Sequence, residues 1–125
     1  MGIVTKKILV VEDQLGPLVR SMLGLANRGY EVCSAKTGTG GVRKAKTEQP
    51  DLVIMDLRLP VMSGVEAIRK IREFNTEVPI LVITAYPNKL EAAMAAGADL
   101  VMQKPLNVER LLKRVEQLLE RGRFV

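Results

Sequence analysis

PDLVIMDLRLPVMSG, residues 50–64, is the stretch whose reading decides the fold. Every residue from Leu52 to Leu57 is apolar except Asp56. So short a run without polar alternation reads as a strand buried on both faces, which is the habit of parallel sheets covered by helices. Working outward, KILVVE (7–12) and VPILVIT (78–84) repeat the pattern, YEVCSA (30–35) alternates, and DLVMQ (99–103) is a shorter version. Each is followed by a helical segment. GPLVRSMLGLANRG places Pro17 at a first helical position, Leu18, Met22, Leu25 and Ala26 on one face, and Gly29 at the end. TGTGGVRKAKTEQ is a weaker helix, GVEAIRKIREF sets Val65, Ile68 and Ile71 on a face, and NKLEAAMAAGA closes at Gly97. In NVERLLKRVEQLLERG the stripe is Val108, Leu111, Leu112, Val115, Leu118 and Leu119, with Asn107 as N-cap and Gly122 as stop. Five strand–helix pairs in strict alternation predict an α/β fold: a five-stranded parallel sheet, doubly wound, with the βα unit repeated five times.

The 125 residues suit one domain, 1–125, with its core at about 7–121. Hydrophobic residues make up 47% and aromatic residues only 3%, so Val, Ile, Leu, Met and Ala must build the core. No apolar run approaches the roughly 20 residues of a membrane span, and MGIVTKKILVV lacks the charged and apolar regions and cleavage site of a signal peptide. A lone cysteine, Cys33, fits a reducing cytoplasm. The net charge of +5 raises nucleic acid as a partner. The basic residues, however, are scattered as Lys6/Lys7, Arg43/Lys44/Lys46, Arg69/Lys70/Arg72, Lys113/Arg114 and Arg121/Arg123, with no aromatics between them to stack on bases. The expectation is no direct nucleic-acid binding.

In doubly wound sheets ligands bind beyond the carboxyl ends of the strands. The first strand ends in Glu12-Asp13, the third in Asp56, the fourth in Thr84 and the fifth in Lys104, with Pro105 next. Singly, each has a plain reading: Asp13 a helix cap, Asp56 a turn former, Thr84 a β-branched strand residue, Lys104 a solvated charge. Together they gather three acids, a hydroxyl and an amine at one edge. Three close carboxylates cannot all stay ionised without a counter-charge. An all-oxygen acidic site suits Mg²⁺, while Lys104 and Thr84 suit phosphoryl oxygens. The chemistry indicated is phosphoryl transfer, with a carboxylate able to form an aspartyl phosphate.

With these residues the chain resembles the receiver domain of bacterial two-component response regulators, the CheY-like group of flavodoxin-like folds. The motifs are ILVVED with Glu12-Asp13, PDLVIMDLRLPVMSGVEAIRKIR around Asp56, PILVITA with Thr84, and AAGADLVMQKPL with Lys104 and Pro105. The resemblance implies that Asp56 accepts a phosphoryl group from a histidine kinase or phosphotransfer protein. It implies that Asp13, Asp56 and the backbone carbonyl of Arg58 hold Mg²⁺ (or Mn²⁺), with Glu12 acting through a water. Thr84 and Lys104 would bind the phosphoryl group, and a downstream protein would dock on the fourth helix, fifth strand and fifth helix. Such a chain is no enzyme beyond its own phosphorylation and dephosphorylation. It contains no histidine, so a phosphohistidine donor must be another molecule.

Three departures from the family pattern and two variable positions shape further expectations; one departure, the pair Glu12-Asp13 where Asp-Asp is also common, leaves metal binding intact. Val101 stands where an aromatic switch residue is common, which implies a smaller or differently transmitted change. The stretch from Thr84 to Gly97 is about two residues shorter than in many receivers. Arg58 and Tyr86, two residues after Asp56 and Thr84, should flank the phosphoryl group and restrict attack by water. Among rivals, a haloacid-dehalogenase-like phosphatase needs an acid where Arg58 stands, and TGTGG lacks the remaining glycine of a dinucleotide fingerprint, Arg43 being at that position. The remaining alternative is a receiver-fold interaction module that works without phosphorylation. The sequence ends in ERGRFV soon after the last helix; at natural length this is a stand-alone receiver, and as a piece of a longer chain it is the receiver of a larger regulator.

Overall fold

The computed structural model of the chain describes residues 5–122, the side chain of Pro87 excepted; Arg123 of the scattered basic set lies outside them. The elements run β1 (Lys7–Val11), α1 (Leu15–Asn27), β2 (Glu31–Ala35), α2 (Gly38–Thr47), β3 (Leu52–Asp56), α3 (Gly64–Phe74), β4 (Ile80–Thr84), a 3₁₀ turn (Pro87–Lys89), α4 (Leu90–Ala96), β5 (Leu100–Gln103) and α5 (Val108–Arg121). All strand pairs are parallel and the order is β2-β1-β3-β4-β5, the doubly wound sheet expected.

Successive residues of a strand point to opposite faces, so a two-sided core needs strands apolar throughout. Leu9, Val11, Val53, Met55, Ile80 and Val82 pack with Ala45, Ala67, Ile68, Ile71, Ala93 and Ala96 of α2, α3 and α4. Their sequence neighbours Ile8, Val10, Leu52, Ile54, Leu81 and Ile83 pack with Leu18 and Leu25 of α1 and with Leu111, Leu112, Val115 and Leu118 of α5. Burying each of the larger side chains contributes about 1.5–3 kcal/mol. With two such layers, β3 is held rigidly at the centre.

Several local expectations need correction. Helix α1 starts at Leu15, so Pro17 is its third residue; that position still belongs to the first turn, where a missing N–H costs no helical bond. Its buried positions are Leu18, Ser21 and Leu25, while Ala26 is exposed, because Ser21 lies under the apolar layer. The expected helix over 88–98 begins as the 3₁₀ turn, and α4 proper is seven residues long. The glycines of TGTGG form the first turn of α2, capped by Thr37, whose hydroxyl accepts from Gly40 N–H. A Cβ at Gly41 would press within 2.9 Å of Val11.

Residue Asp99, read as the first residue of the last strand, lies just before β5. Its buried carboxylate accepts from Ile80 N–H at 2.8 Å and pairs with the Arg72 guanidinium at 3.0 Å. Arg72 also donates to the carbonyls of Gly97 and Val78. This clamp ties α3, β4 and the α4–β5 turn together at the edge opposite the strand carboxyl ends. A buried charge is tolerated there because the Arg72 guanidinium and Ile80 N–H bond it directly.

The loop after β3 folds back sharply. Gly64 N–H donates to Leu57 carbonyl at 2.9 Å, and a Cβ on Gly64 would lie 2.3 Å from the carbonyl oxygen of Asp56, so only glycine fits. Within the loop Met62 N–H reaches Pro60 carbonyl at 2.8 Å, which turns the chain tightly about Val61. Val61 has φ +68 and is 96% exposed. A β-branched residue is strained in that left-handed region, and no packing offsets the strain here. Val61→Gly is therefore expected to raise stability by about 0.5–1 kcal/mol after the entropy cost of glycine. Urea unfolding tests this; a midpoint at or below that of the wild type would show that Val61 is unstrained.

Candidate functional site

Strand order reverses between β1 and β3, which is where a doubly wound sheet opens a crevice. The register Val11↔Met55 sets Glu12 level with Asp56, and Asp56↔Ile83 with Thr84↔Gln103 brings Thr84 and Lys104 to the same edge. Lys104 N–H donates to Thr84 carbonyl at 2.8 Å. The peptide bond between Lys104 and Pro105 is cis.

Side-chain oxygens of Glu12, Asp13 and Asp56 lie within 4.8 Å of one another. Asp56 and Glu12 are buried and Asp13 is exposed. Lys104 reaches into the cluster, its Nζ 2.9 Å from Asp56 Oδ2 and 3.2 Å from Glu12 Oε1. The other Asp56 oxygen accepts from Arg58 N–H at 3.2 Å. Asp56 is thus both a turn former and a member of the cluster. Asp13 does not cap α1: the N-cap is Gln14, with no side-chain bond to the helix.

Burial is the first cause that pushes the Glu12 carboxyl up, to about 8, with its neighbour Asp56 adding to it and Lys104 opposing. The Lys104 ammonium is lowered by burial, but its hydrogen bond to Asp56 and the charges of Asp56 and Glu12 outweigh that and raise it. Glu12 Oε2 is buried with no hydrogen-bond partner among the described residues. An orphaned buried oxygen beside two more carboxylates is a donor set suited to a hard divalent cation, so the residues present fit a metal.

The remaining expected residues distribute unevenly. Thr84 is buried and its hydroxyl accepts from Tyr86 N–H at 2.9 Å. Arg58 and Tyr86 meet: the guanidinium hydrogen-bonds the phenol oxygen and lies 5.2 Å from the ring centre. Both line a cleft of about 190 Å³ together with Asp13, Asp56 and Lys104. Gln14 and Ala85 line it too, and sequence reasoning passed over both; adjacency to Asp13 and Thr84 is the only signal that marks them. Val101 is elsewhere. It packs half-buried against the α2–α3–α4 layer and lines a separate groove beside α5.

A profile of the response regulator receiver domain matches residues 8–116. The chain belongs to this family. It is similar to the alkaline phosphatase synthesis transcriptional regulatory protein PhoP of Bacillus subtilis, 34% identical over 119 residues, covering 94% of this chain and 50% of that protein. Among solved structures it resembles a CheY-like receiver domain protein from Methanospirillum hungatei, with TM-score 0.90, 30% identity, and 94% and 95% of the two chains covered. It also resembles the receiver domain of sensor histidine kinase PA1611 from Pseudomonas aeruginosa, solved with a magnesium ion in its active-site cleft, with TM-score 0.86, 30% identity, and 94% and 99% covered. This receiver spans about half the length of the curated relatives it matches. No helix among its described residues is long and apolar enough to cross a membrane.

Lys104 serves as the internal counter-charge of the receiver's acidic cluster. Lys104→Met is expected to cost about 1–3 kcal/mol in chelator, because the buried Asp56 carboxylate and Glu12 carboxyl lose a hydrogen-bonding partner. Adding Mg²⁺ should stabilise the variant more than the wild type in thermal melts. Equal stabilisation of the two would show that lysine and cation do not share the task.

Proposed function

We propose that this receiver takes a phosphoryl group onto Asp56 from a histidine kinase or phosphotransfer protein and changes its binding face in response. The observation that supports this most directly is the buried cluster itself, in which Asp56 is clamped by Lys104 beside a Glu12 oxygen with no partner among the described residues. Glu12, Asp13, Asp56 and the Arg58 carbonyl would hold Mg²⁺ or Mn²⁺, which when bound supplies positive charge to the carboxylates and to phosphoryl oxygens.

The chain's own residues account for the rest. Met55 and the buried strand around it hold Asp56 still, which supplies positioning. One Asp56 oxygen forms a bond to phosphorus as the phosphorus–nitrogen bond of the donor phosphohistidine breaks, and the imidazole leaves with the electron pair. Lys104 already sits on Asp56 and shifts to a phosphoryl oxygen with little movement. The Thr84 hydroxyl gives up Tyr86 N–H to reach the phosphoryl group, which frees the backbone at Tyr86 to shift. Val101 takes no part in that coupling, and Tyr86 is the aromatic that feels Thr84 directly. A cytoplasmic setting and a protein partner on the α4–β5–α5 face complete the reading, with core limits of about 7–121.

Incubation with Mg²⁺ and acetyl phosphate followed by intact mass tests it. The expected result is a gain of one phosphoryl group, absent in Asp56→Asn and in chelator. No gain from acetyl phosphate or from any phosphohistidine donor would favour an interaction module that works without phosphorylation. The same assay reads shielding. Arg58 and Tyr86 bond across the cleft mouth, so phosphate loss should be several-fold faster, about 1 kcal/mol in barrier, in Arg58→Ala with Tyr86→Ala. Loss at the wild-type rate would remove shielding as their role.

A further inference from the structure

β5 is the last strand in the order β2-β1-β3-β4-β5, so one side of its backbone has no strand neighbour among the described residues. Edge strands are ordinarily blunted by charge, proline or a bulge. The strand itself, LVMQ, carries no charge and no proline. Along it runs a groove of about 390 Å³, lined by Leu100, Val101, Met102 and Gln103 on the strand side and by Arg110 and Arg114 on α5. Residues from both faces of β5 line the groove, which places it at the backbone edge.

Helix α5 sorts its charges by ridge. Arg110, Arg114, Gln117 and Arg121 follow one another at helical spacing, and Arg114 bonds Gln117 along that ridge. The acids Glu109, Glu116 and Glu120 lie on another: Glu109 meets Arg28 of α1, and Glu116 and Glu120 act on Tyr30. No acidic residue lines the groove, and neither Arg110 nor Arg114 has a carboxylate partner among the described residues. Two copies of such a face would oppose arginine to arginine. The groove offers backbone donors and acceptors on one wall and, on the other, two guanidinium groups with no carboxylate partner among the described residues.

We propose that this groove binds an acidic extended segment of another protein, which adds as a strand to the free edge of β5 and pairs its carboxylates with Arg110 and Arg114. The small side chain of Val101 leaves room for the added strand where an aromatic ring would intrude. This names the chemistry of the partner and rests on reading the α4–β5–α5 face as the output surface.

The probe is a fluorescein-labelled (Glu-Val)₄ peptide, followed by anisotropy on the full chain, with amide protection of β5 read by hydrogen exchange. Binding is expected, with slower exchange at residues 100–103, and weakening in salt. (Lys-Val)₄ should bind at least about tenfold more weakly through like-charge opposition. The same (Glu-Val)₄ sequence N-methylated at every residue keeps the charge but has no backbone N–H to donate, and should lose a similar factor. Arg110→Glu with Arg114→Glu should abolish binding, whereas Arg43→Glu with Lys70→Glu, the same charge change on α2 and α3, should not.

Equal binding of the N-methylated peptide, or loss in both charge-reversed variants, would overturn strand addition in favour of general attraction to a basic protein. Concentration-dependent dimerisation that excludes the peptide would assign the edge to a second copy. Displacement of the peptide by duplex DNA that needs the same two arginines would assign them to phosphate. Asp56 phosphorylation, followed separately by mass, shows which reading has failed.

Discussion

The ion pair between Lys104 and Asp56 depends on nearly everything else in the molecule being in place. Lys104 follows β5, Asp56 ends β3, and β4 lies between them, so the 2.9 Å contact exists only when three strands hold register. Two apolar layers fix that register, since a slip of one residue would turn the strand side chains to the wrong faces. The Arg72–Asp99 clamp anchors the far end of β4 and the entry to β5, and Gly64 lets the β3–α3 loop fold against the Asp56 carbonyl.

That pair also explains why the acidic cluster survives burial. Carboxylates at Glu12 and Asp56 lose hydration, and the lysine restores part of the balance while Glu12 is left favouring its protonated form. One oxygen of Glu12 still lacks a partner among the described residues. The site therefore carries a standing electrostatic deficit that a cation would relieve. Incomplete satisfaction of buried polar groups is costly for a structural role and ordinary for a functional one.

The acidic cluster and the groove beside α5 occupy different parts of one sheet. Asp56 sits at the switch point between β1 and β3, where chemistry is best enclosed. Val101 and the arginines of α5 sit at the outer strand, where backbone and charge face outward. Thr84 lies between the two regions, on β4, with its hydroxyl on Tyr86 rather than toward Lys104. The physical link between them is one strand wide.

By itself the sequence determined the α/β alternation, the parallel sheet and the identity of the residues at its carboxyl edge. Strand burial and strand ends are written in local patterns: LVIMD stops being apolar at Asp56 because the sheet stops there. Local pattern carries less about what happens across the chain. Asp99 looked like a strand residue, and only its distance to Arg72, 27 positions away, makes it a clamp. Ser21 took a place under the apolar layer that Ala26 was expected to fill, since helix rotation is decided by the surface it meets. The start of α4 as a 3₁₀ turn and the strain at Val61 follow from loop closure. Which charges of α5 are paired, and which face an open groove, was decided only by tertiary packing, because pairing depends on the elements that each ridge of the helix meets.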